Sequence, residues 1–483
     1  MFGAFANTFK VPDLRKRILF TLGLVFICRL VCMVPTPGVD WHALSDLLRG
    51  IQENAGASGG LLGMVNVFSG GAMERCSVGT LGIWPYISAS IVLQLMTAII
   101  PALERMARDG EAGRQKMNQW TRYFTIIICV GQGFFLARGL EHPGFLGQGG
   151  LQLVAHPGFG FELMTVIAMT TASMLVMWLG DQITARGIGN GISLIIMINI
   201  CSRGPMAVFE AYNRYFSAQK SGTVFEFALL VLVGFLVCAA TVMLTQGVRK
   251  VPIHTARRQV GAKVYGGQAT YMPLRVNFSG VMPIIFAGPL LQIPGSLLQR
   301  IPVPETGALR GLLGALQWFG RQLAEGLNGT YIVLFSILVL FFSFFWVATQ
   351  FNAMRIADDL KRTGGYVPGI RPGRATAEYL DHTMSRVTLI GAIGLIVIAI
   401  FPSLLRVYLR LPWEMASFFG GTSLLIIVGV ALDTLRQMES LLVMRHYDGF
   451  LKHGRIQSRL RSPLQRFESS GAWVGFPTRA LKF

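Results

Sequence analysis

Ten long apolar segments, separated by polar stretches, constrain the fold of this chain more strongly than any other feature of its sequence. A helix needs about 20 residues to cross the hydrocarbon core of a bilayer, and most of the segments approach or exceed that length. Only 14% of the residues are charged, whereas soluble domains carry about 25%. The pattern predicts an all-α polytopic membrane protein with ten transmembrane helices, in the segments 18–35, 79–100, 119–138, 162–180, 190–204, 223–245, 278–296, 329–350, 386–404 and 419–437.

The distribution of lysine and arginine predicts how the spans are oriented. An even number of spans places both ends of the chain on one side of the membrane, and 31 of the 43 basic residues lie on that side. Another 11 lie on the opposite side, and Arg29 lies within the first span. Because short cytoplasmic loops are enriched in Lys and Arg, both termini are predicted to be cytoplasmic. The same asymmetry accounts for the net charge of +19 without a nucleic-acid-binding domain.

Two pairs of segments indicate an internal repeat. Gly82–Gln94 matches Gly280–Gln292 at glycine, proline, isoleucine, alanine, leucine and glutamine positions, and Gly191–Ile196 matches Gly421–Ile426. The partners in each pair are an odd number of spans apart, so they cross the membrane in opposite directions. Inverted repeats place the functional path at the interface of two halves; chance similarity between apolar helices is the alternative. The repeat predicts two inverted pseudo-symmetric halves around a central pore, 18–204 and 223–437, joined by an external connecting loop, 205–222.

The stretch before the second span is too short to cross a bilayer. Val67–Ala72 is apolar and broken by two glycines, and the following span carries Ser88, Ser90 and Gln94. Irregular backbone at membrane depth is tolerated only where protein or a water-filled cavity surrounds it. The stretch therefore indicates an element that lines or blocks a path, although a kinked packing helix with an ordinary outside loop would give the same pattern.

Two loops on the predicted cytoplasmic side have unusual compositions. The loop 246–277 carries six basic residues and no acidic residue, and its alternating pattern predicts a β-hairpin that stands off the membrane. The loop 351–385 ends in a run rich in glycine and proline that presents Arg371 at its tip. Exposed basic loops suit an acidic partner or an RNA backbone. Enrichment of cytoplasmic loops in basic residues explains the sign of the charge, but not the length or composition of these loops.

Several motifs occur in order along the chain: Val67–Ala72, Pro85–Ser90, Asp109–Arg114, Trp178–Thr184, Arg186–Ser193, Val367–Gly373 and Phe419–Leu425. Together they resemble the SecY/Sec61 family of protein-translocation channels, and the resemblance extends from about Lys10 to Leu451. It implies an hourglass-shaped channel that passes unfolded, signal-bearing polypeptides across the membrane. The channel would also release transmembrane segments sideways, through a lateral gate. The resemblance implies no catalytic residue, metal or cofactor.

The resemblance also implies roles for individual residues. It places a plug at about 64–72, including Val67, Phe68, Ser69, Gly70, Gly71 and Ala72. It places a constriction ring at Ile83, Ile87, Ile192, Ile196, Met282 and Ile426, where Met282 replaces the usual isoleucine with a flexible apolar side chain. It places Ser88, Ser90 and Gln94 at a lateral gate between the second and third spans and the seventh and eighth. It assigns Arg257, Arg258, Lys263 and Arg371 to the docking of a motor ATPase or the ribosome.

The same resemblance implies a set of partners and a location. The partners are the small membrane subunits SecE and SecG, the SecA motor ATPase, the ribosome, signal-bearing preproteins, nascent membrane proteins and the phospholipid bilayer, with SecDF and YidC as further candidates. Nucleotide hydrolysis is expected in a partner, because the chain has no phosphate-binding Gly-x-x-x-x-Gly-Lys motif. The expected location is a bacterial inner membrane, with a plastid membrane as the alternative.

Two other function classes fit a polytopic membrane protein. A secondary transporter shares inverted repeats and broken helices, but it needs intramembrane ion-coupling groups. Glu162, Glu226 and Asp433 lie near span ends, on different segments. A membrane-embedded enzyme would carry a motif such as H-E-x-x-H or G-x-S-x-G, which this sequence lacks. Outside the spans, the sequence predicts a sizeable external loop at 302–328, a short cytoplasmic segment at 1–17 and a basic cytoplasmic tail at 438–483.

Overall fold

A computed structural model gives the fold of residues 11–40, 43–44, 69–141, 153–216, 224–255, 258–260, 263–265, 269–299, 301, 310–324, 328–409, 415, 418 and 421–453. The described part of the chain is predominantly helical, with two small β-sheets formed by the loops between helices.

The helices of the N-terminal half are α1 (Pro12–Val31), α2 (Trp84–Ile99), α3 (Pro101–Arg108), α4 (Gly110–Glu141), α5 (Phe159–Arg186) and α6 (Gly191–Cys201), and α7 (Gly204–Phe216) follows them in the segment that connects the halves. Helix α5 packs against α1, α4 and α6, and α2 packs against α3 and α4. The break between α2 and α3 follows from Pro101, because a residue before proline is disfavoured in helical conformation, and Ile100 is extended. Helix α6 begins where the Asn190 side chain caps it, accepting hydrogen bonds from the backbone N–H groups of Ile192 and Ser193.

The helices of the C-terminal half are α8 (Val224–Gln246), α9 (Met282–Gln299), α10 (Arg310–Ala324), α11 (Gly329–Gln350), α12 (Ala353–Thr363), α13 (Arg374–Leu409) and α14 (Gly421–His453). Helix α9 packs against α10 and α11, and α13 packs against α8, α11, α12 and α14. The two halves meet where α6 packs against α14. These two helices contain the segments that the internal repeat pairs.

Each of the ten predicted apolar segments coincides with a helix. In the described part of the chain, seven helical stretches are long and apolar enough to cross a membrane: Gly110–Glu141, Phe159–Arg186, Gly191–Phe216, Phe225–Gln246, Met282–Gln299, Gly329–Thr363 and Arg374–Phe401. The prediction of a helical polytopic fold is therefore confirmed, whereas the count of ten spans stays a prediction. Helix α2, for example, has only 16 residues.

The backbone is alike at corresponding positions of the internal repeat. Gly82 and Gly280 both adopt a left-handed conformation, with φ of 52° and 65°, and a helix begins two residues after each of them. Gly191 and Gly421 are each the first residue of their helix. Glycine is needed at the first pair because residues with a Cβ atom disfavour positive φ. The sequence match thus corresponds to a match in local structure.

The predicted hairpin is present in the loop 246–277. Strand β1 (Val248–Thr255) pairs in antiparallel register with β4 (Ala269–Arg275), and β2 (Arg258–Val260) pairs with β3 (Lys263–Tyr265) at the far end. The sequence did not predict strand β5 (Gly365–Tyr366), which pairs with the outer edge of β1 through His254 and Thr255. The loops 246–277 and 351–385 consequently form one unit. Its core is Val251, Leu274, Val347, Val367, Leu380 and Met384.

Three ranges predicted to lie outside the spans contain helix. Helix α7 occupies much of the connecting loop 205–222, α10 lies within the external loop 302–328, and α14 extends to His453, inside the predicted tail. In α7 the signal was an i, i+4 series, Ala207, Ala211 and Tyr215, all of which are buried. The predictions for the remainder of the tail and for 1–10 fall outside the described residues.

Candidate pore and plug site

An apolar cluster lies where the two halves meet. Ile83 immediately precedes α2, Ile87 lies on α2, Ile196 on α6 and Ile426 on α14, and all four are buried in this cluster. Ile192 on α6 is half-buried and packs against it. The cluster therefore brings together five of the six residues assigned to the constriction ring.

The contribution of α9 to this cluster differs from the sequence-based assignment. Met282 is the first residue of α9 and is half-buried. The α9 residue buried in the cluster is Ile285, and Val281, just before the helix, packs against it. The repeat match pairs Val281 with Ile83 and Ile285 with Ile87, so the buried residues are the repeat partners of the α2 residues in the cluster. In the described residues, Ile285 and Val281 thus occupy the place at which the sequence put Met282.

The second half of the predicted plug is a tight turn. Gly70 and Gly71 have φ of 68° and 83°, and Ser69 and Ala72 are buried. The Ala72 carbonyl accepts hydrogen bonds from the Ser77 backbone N–H at 3.0 Å and the Thr80 hydroxyl at 3.2 Å. These bonds tie the turn to the start of α2. The other predicted plug residues, Val67 and Phe68, lie outside the described residues.

A buried thiol follows this turn. Cys76 is 2% exposed. Although it is not a glycine, its backbone has a positive φ, 42°, which among the described residues is otherwise found at glycines. Burial raises the pKa of the Cys76 thiol to about 11, although a hydrogen bond with the Thr36 side chain acts in the opposite direction. The thiol is therefore protonated at neutral pH, and its role is packing in a small cluster with Met73 and Leu81.

Arg29, which the sequence reasoning left without a role, contacts the turn at residues 69–72, called the plug turn below. From the last turn of α1 its guanidinium donates to the Gly70 carbonyl, from Nη1 at 3.4 Å and from Nη2 at 3.3 Å. Nη1 also donates to the Asn199 side-chain oxygen at 3.2 Å. The signal was available in the sequence, because a charged residue inside an apolar span is rare and faces protein or a cavity.

A second polar contact joins the same segment to the end of α6. Arg203 Nη2 lies 2.9 Å from Glu74 Oε1, in an ion pair whose side chains are 13% and 35% exposed. Arg203 follows Asn199 by four residues. The C-terminal end of α6 and the turn after it therefore contact the segment 70–74 twice, once through Asn199 and Arg29 and once through Arg203.

The structure brings together two of the three predicted gate residues. Gln94 is exposed, and its amide donates to the Ser90 hydroxyl at 3.4 Å, one turn earlier on α2. Ser88 is half-buried and, two residues before Ser90, lies on a different face of the helix. Gln292, the repeat partner of Gln94, is buried on α9. The two glutamines of the repeat therefore occupy different environments.

Arg371 lies where the sequence placed it. It is exposed, in the turn between β5 and α13, and its backbone carbonyl accepts a hydrogen bond from the Thr376 hydroxyl at 2.9 Å. The positive φ of Gly369 (81°) and Gly373 (109°) shapes this turn. Arg258 and Lys263 each begin a strand, β2 and β3, whereas Arg257 lies outside the described residues.

Acidic residues near the span ends have cationic partners. Glu162 on α5 is nearly buried and lies 2.6 Å from the Arg138 guanidinium of α4. Asp433 on α14 lies 3.8 Å from Arg436 of the same helix. Within the described residues, no group of three or more His, Cys, Asp or Glu side chains is arranged to hold a metal ion. Glu162 is therefore held in a close ion pair, whereas the exposed pair of Asp433 with Arg436 is long and screened by solvent.

Comparison with known proteins identifies the family. The family model described as SecY matches residues 77–435. The protein translocase subunit SecY of Streptomyces galbus is 41% identical over 459 residues, covering 94% of this chain and 100% of that protein. The subunit of the same name from Mycobacterium tuberculosis is 39% identical over 465 residues, with the same coverage.

Solved structures share the fold at low sequence identity. A protein-conducting channel has a TM-score of 0.60 and is 17% identical, covering 88% of this chain and 92% of that chain. Sec61 from a canine ribosome–channel complex has a TM-score of 0.56, with the same identity and coverage. A structure that concerns the SecY plug domain and the closed state of the channel has a TM-score of 0.55. The family match, the relatives at about 40% identity and the shared fold agree that this chain belongs to the SecY family.

Proposed function

We propose that this protein is the central protein-conducting channel of a Sec translocon. The observation that carries the proposal is the apolar cluster between α2, α6, α9 and α14, with the plug turn held beside it. Relatives at about 40% identity are named protein translocase subunit SecY. The proposed substrates are unfolded, signal-bearing polypeptides.

The chemistry of the cluster suits a conduit for arbitrary sequences. A constriction lined by apolar side chains excludes water and therefore blocks ions. The same side chains offer no hydrogen bond or charge that would retain a particular passing sequence. We assign this constriction to Ile83, Ile87, Ile192, Ile196 and Ile426, with Ile285 and Val281 from α9 and Met282 at its edge. Val67–Ala72 is the proposed plug.

We place the lateral gate between α2 and α9. The closely packed partners of α2 are α3 and α4, and those of α9 are α10 and α11, so each gate helix has its principal contacts within its own half. Gln94 is exposed on α2, and Ser90, its hydrogen-bond partner one turn earlier, is half-buried. Polar contacts between transmembrane helices average about 0.6 kcal/mol. A seam closed by a few such contacts can open for a transmembrane segment without large energy input.

The cytoplasmic sheet is the proposed docking surface for a motor ATPase or the ribosome. Pairing of β5 with β1 fixes the loop that presents Arg371 to the hairpin that contains Arg257, Arg258 and Lys263. Ion pairs and charge steering suit the acidic face of a protein or the phosphates of RNA. Sec61, which shares this fold, is part of a ribosome–channel complex. Nucleotide hydrolysis is assigned to the SecA motor or to the ribosome, not to this chain.

The remaining assignments complete the proposal. The chain lies in a bacterial inner membrane with both termini in the cytoplasm, and it assembles with SecE and SecG. The units are a cytoplasmic segment at 1–17, two halves at 18–204 and 223–437, and a basic tail from 438 to 483. The helices revise these boundaries in two places: α7 follows α6 outside the first half, and α14 extends into the tail. SecDF and YidC are further candidates as partners.

The test is import of a radiolabelled preprotein into proteoliposomes that contain this chain and its small partner subunits, with soluble motor and ATP. We expect ATP-dependent protection of the preprotein from protease. Arg371→Glu should abolish the protection without affecting folding. Arg374→Glu, which changes the same charge at an exposed position three residues later, should retain it.

Two outcomes would contradict the proposal in different ways. Protection no higher than in empty liposomes, with folded protein present, would reject the channel and direct attention to ion-gradient flux and the transporter alternative. Normal import by Arg371→Glu would leave the channel intact and reject the assignment of Arg371 to docking.

A further inference from the structure

We propose that Arg29 and the Glu74–Arg203 ion pair form a two-point latch that holds the plug turn against α1 and α6, and that this latch sets how readily the channel opens. The inference rests on the proposed function, because a latch on a plug has meaning only in a channel. It assigns a positioning role to three charged side chains around the plug turn.

The first point of the latch is a charge inside an apolar span. Arg29 lies on α1 among apolar residues, where a guanidinium is retained only if it faces protein or a cavity and has partners. Its partners are the Gly70 carbonyl and the Asn199 side chain, and Asn199 is 3% exposed. One cation therefore bridges α1, the plug turn and α6. The fit is close, since a Cβ atom added at Gly70 would collide with Arg29 Nη1.

The second point lies just past the end of α6, in the turn before α7. There Arg203 pairs with Glu74, which follows the proposed plug by two residues. Because Asn199 and Arg203 are four residues apart, the C-terminal end of α6 and the turn after it contact the segment 70–74 at two successive places. A displacement of α6 therefore acts on both points together.

Helix α6 is placed to couple widening of the pore to the contacts that hold the plug turn. It contributes Ile192 and Ile196 to the apolar cluster and packs against α14 of the other half. If the constriction widens by a shift of α6, α6 moves relative to α1 and to the plug turn, which contact it within the same half. The bridge through Arg29 and Asn199 and the pair through Arg203 and Glu74 would then be strained at the same time, which links widening of the pore to release of the plug.

The strength of both contacts suits a reversible device. The distances from Arg29 to the Gly70 carbonyl, 3.3 and 3.4 Å, are at the long end for hydrogen bonds. Glu74 is 35% exposed, so solvent screens the ion pair. Each point is weak alone, and the plug is retained because both act on one short segment.

The experiment is a charge-exchange cycle on the second point, in proteoliposomes containing the full chain with its partner subunits. Resting chloride leak is measured without substrate, and import is measured with signals of graded hydrophobicity. Glu74→Arg and Arg203→Glu should each raise the resting leak about two- to fivefold, the range expected for an ion pair of this exposure. Both variants should also accept less hydrophobic signals. Combining the two substitutions restores opposite charges and should return both readouts to wild-type values.

Two further variants complete the design. Arg29→Met keeps an unbranched, flexible stem, removes the guanidinium and its charge, and should raise the leak in the same way. Arg321→Glu makes the same charge change as Arg203→Glu at an exposed position on α10, and should leave the leak unchanged.

The latch is rejected if the single variants do not change leak or signal threshold, or if the double variant leaks as much as the singles. Those results, with normal import by the wild-type chain, would reject the latch while leaving the channel intact. Failure of the wild-type chain to import any preprotein would instead reject the proposed function.

Discussion

The plug turn depends on two adjacent glycines that have the same backbone requirement but different surroundings. Both have positive φ, a region that costs an L-residue about 1–2 kcal/mol. A Cβ atom at Gly70 would meet Arg29 and the backbone of Asn199, whereas one at Gly71 would meet nothing within 4 Å. The two positions therefore separate backbone strain from loss of the Arg29 contact.

Gly70→Ala should raise resting chloride leak and lower the signal hydrophobicity required for import, because the new methyl group displaces Arg29 from the turn. Gly71→Ala is the matched control, since it imposes a similar backbone cost of about 1–2 kcal/mol without this collision. It should leak less than Gly70→Ala in the same liposome assay. Equal leak from both variants would mean that backbone strain alone matters and that the Arg29 contact does not hold the turn.

The sequence predicted which residues reach the apolar cluster better than it predicted the contacts that individual residues make. The spacing of Ile83 and Ile87, and of Ile192 and Ile196, placed each pair on one face, and all four reach the same cluster. On α9 the cluster contains Ile285 and Val281 instead of Met282; the family resemblance pointed to Met282, whereas the internal repeat pairs Ile285 and Val281 with Ile87 and Ile83. Arg29 stood out in the sequence, but the Gly70 carbonyl that it contacts is a backbone group that no residue pattern reveals.

At the scale of elements, helix α2 carries the proposed gate face. Ser90 and Gln94 are joined by a hydrogen bond along the helix, and both would be available to a partner across the seam. Replacing the amide by an apolar side chain removes the polar contacts of Gln94 and makes the surface of the seam more apolar. The change is confined to one exposed face of α2.

Gln94→Leu should shift the signal hydrophobicity required for membrane insertion, by an amount equivalent to about 0.6 kcal/mol, or roughly a threefold change in the gate equilibrium. The measurement is the inserted fraction of model segments with graded leucine content. Val92→Leu, at another exposed position of the same helix, is the control and should keep the wild-type threshold. An unchanged threshold in Gln94→Leu would count against a gate role for this face.

Elements with a local signal were predicted, and those that depend on distant partners were not. The alternating pattern of the loop 246–277 predicted the pairing of β1 with β4. Strand β5 has two residues and forms only by adding to β1 from more than 100 residues away, so no local pattern could reveal it. Helices α7 and α10 were overlooked because both are amphipathic and carry charged residues, so neither stands out as a long apolar segment.

At the scale of the whole molecule, two features of the sequence determined the architecture. The alternation of apolar segments with basic loops predicted a helical membrane protein, and the repeated glycine-marked segments predicted two related halves. The packing of α6 against α14 joins the repeat partners at the junction of those halves, beside the apolar cluster. The sequence could not predict how the plug is attached there, because Arg29, Gly70 and Asn199 are far apart in the chain and meet only in the folded molecule.

The central claim is that polypeptides pass through the apolar cluster between the halves. The most direct test places a photoreactive amino acid at Ile87 or Ile196 and arrests a signal-bearing preprotein part-way through the membrane. The account predicts crosslinks to the arrested chain from both positions, and none from Phe235, an exposed position on α8. Crosslinks absent from the two cluster positions, or equally strong from Phe235, would show that the path of the polypeptide lies elsewhere.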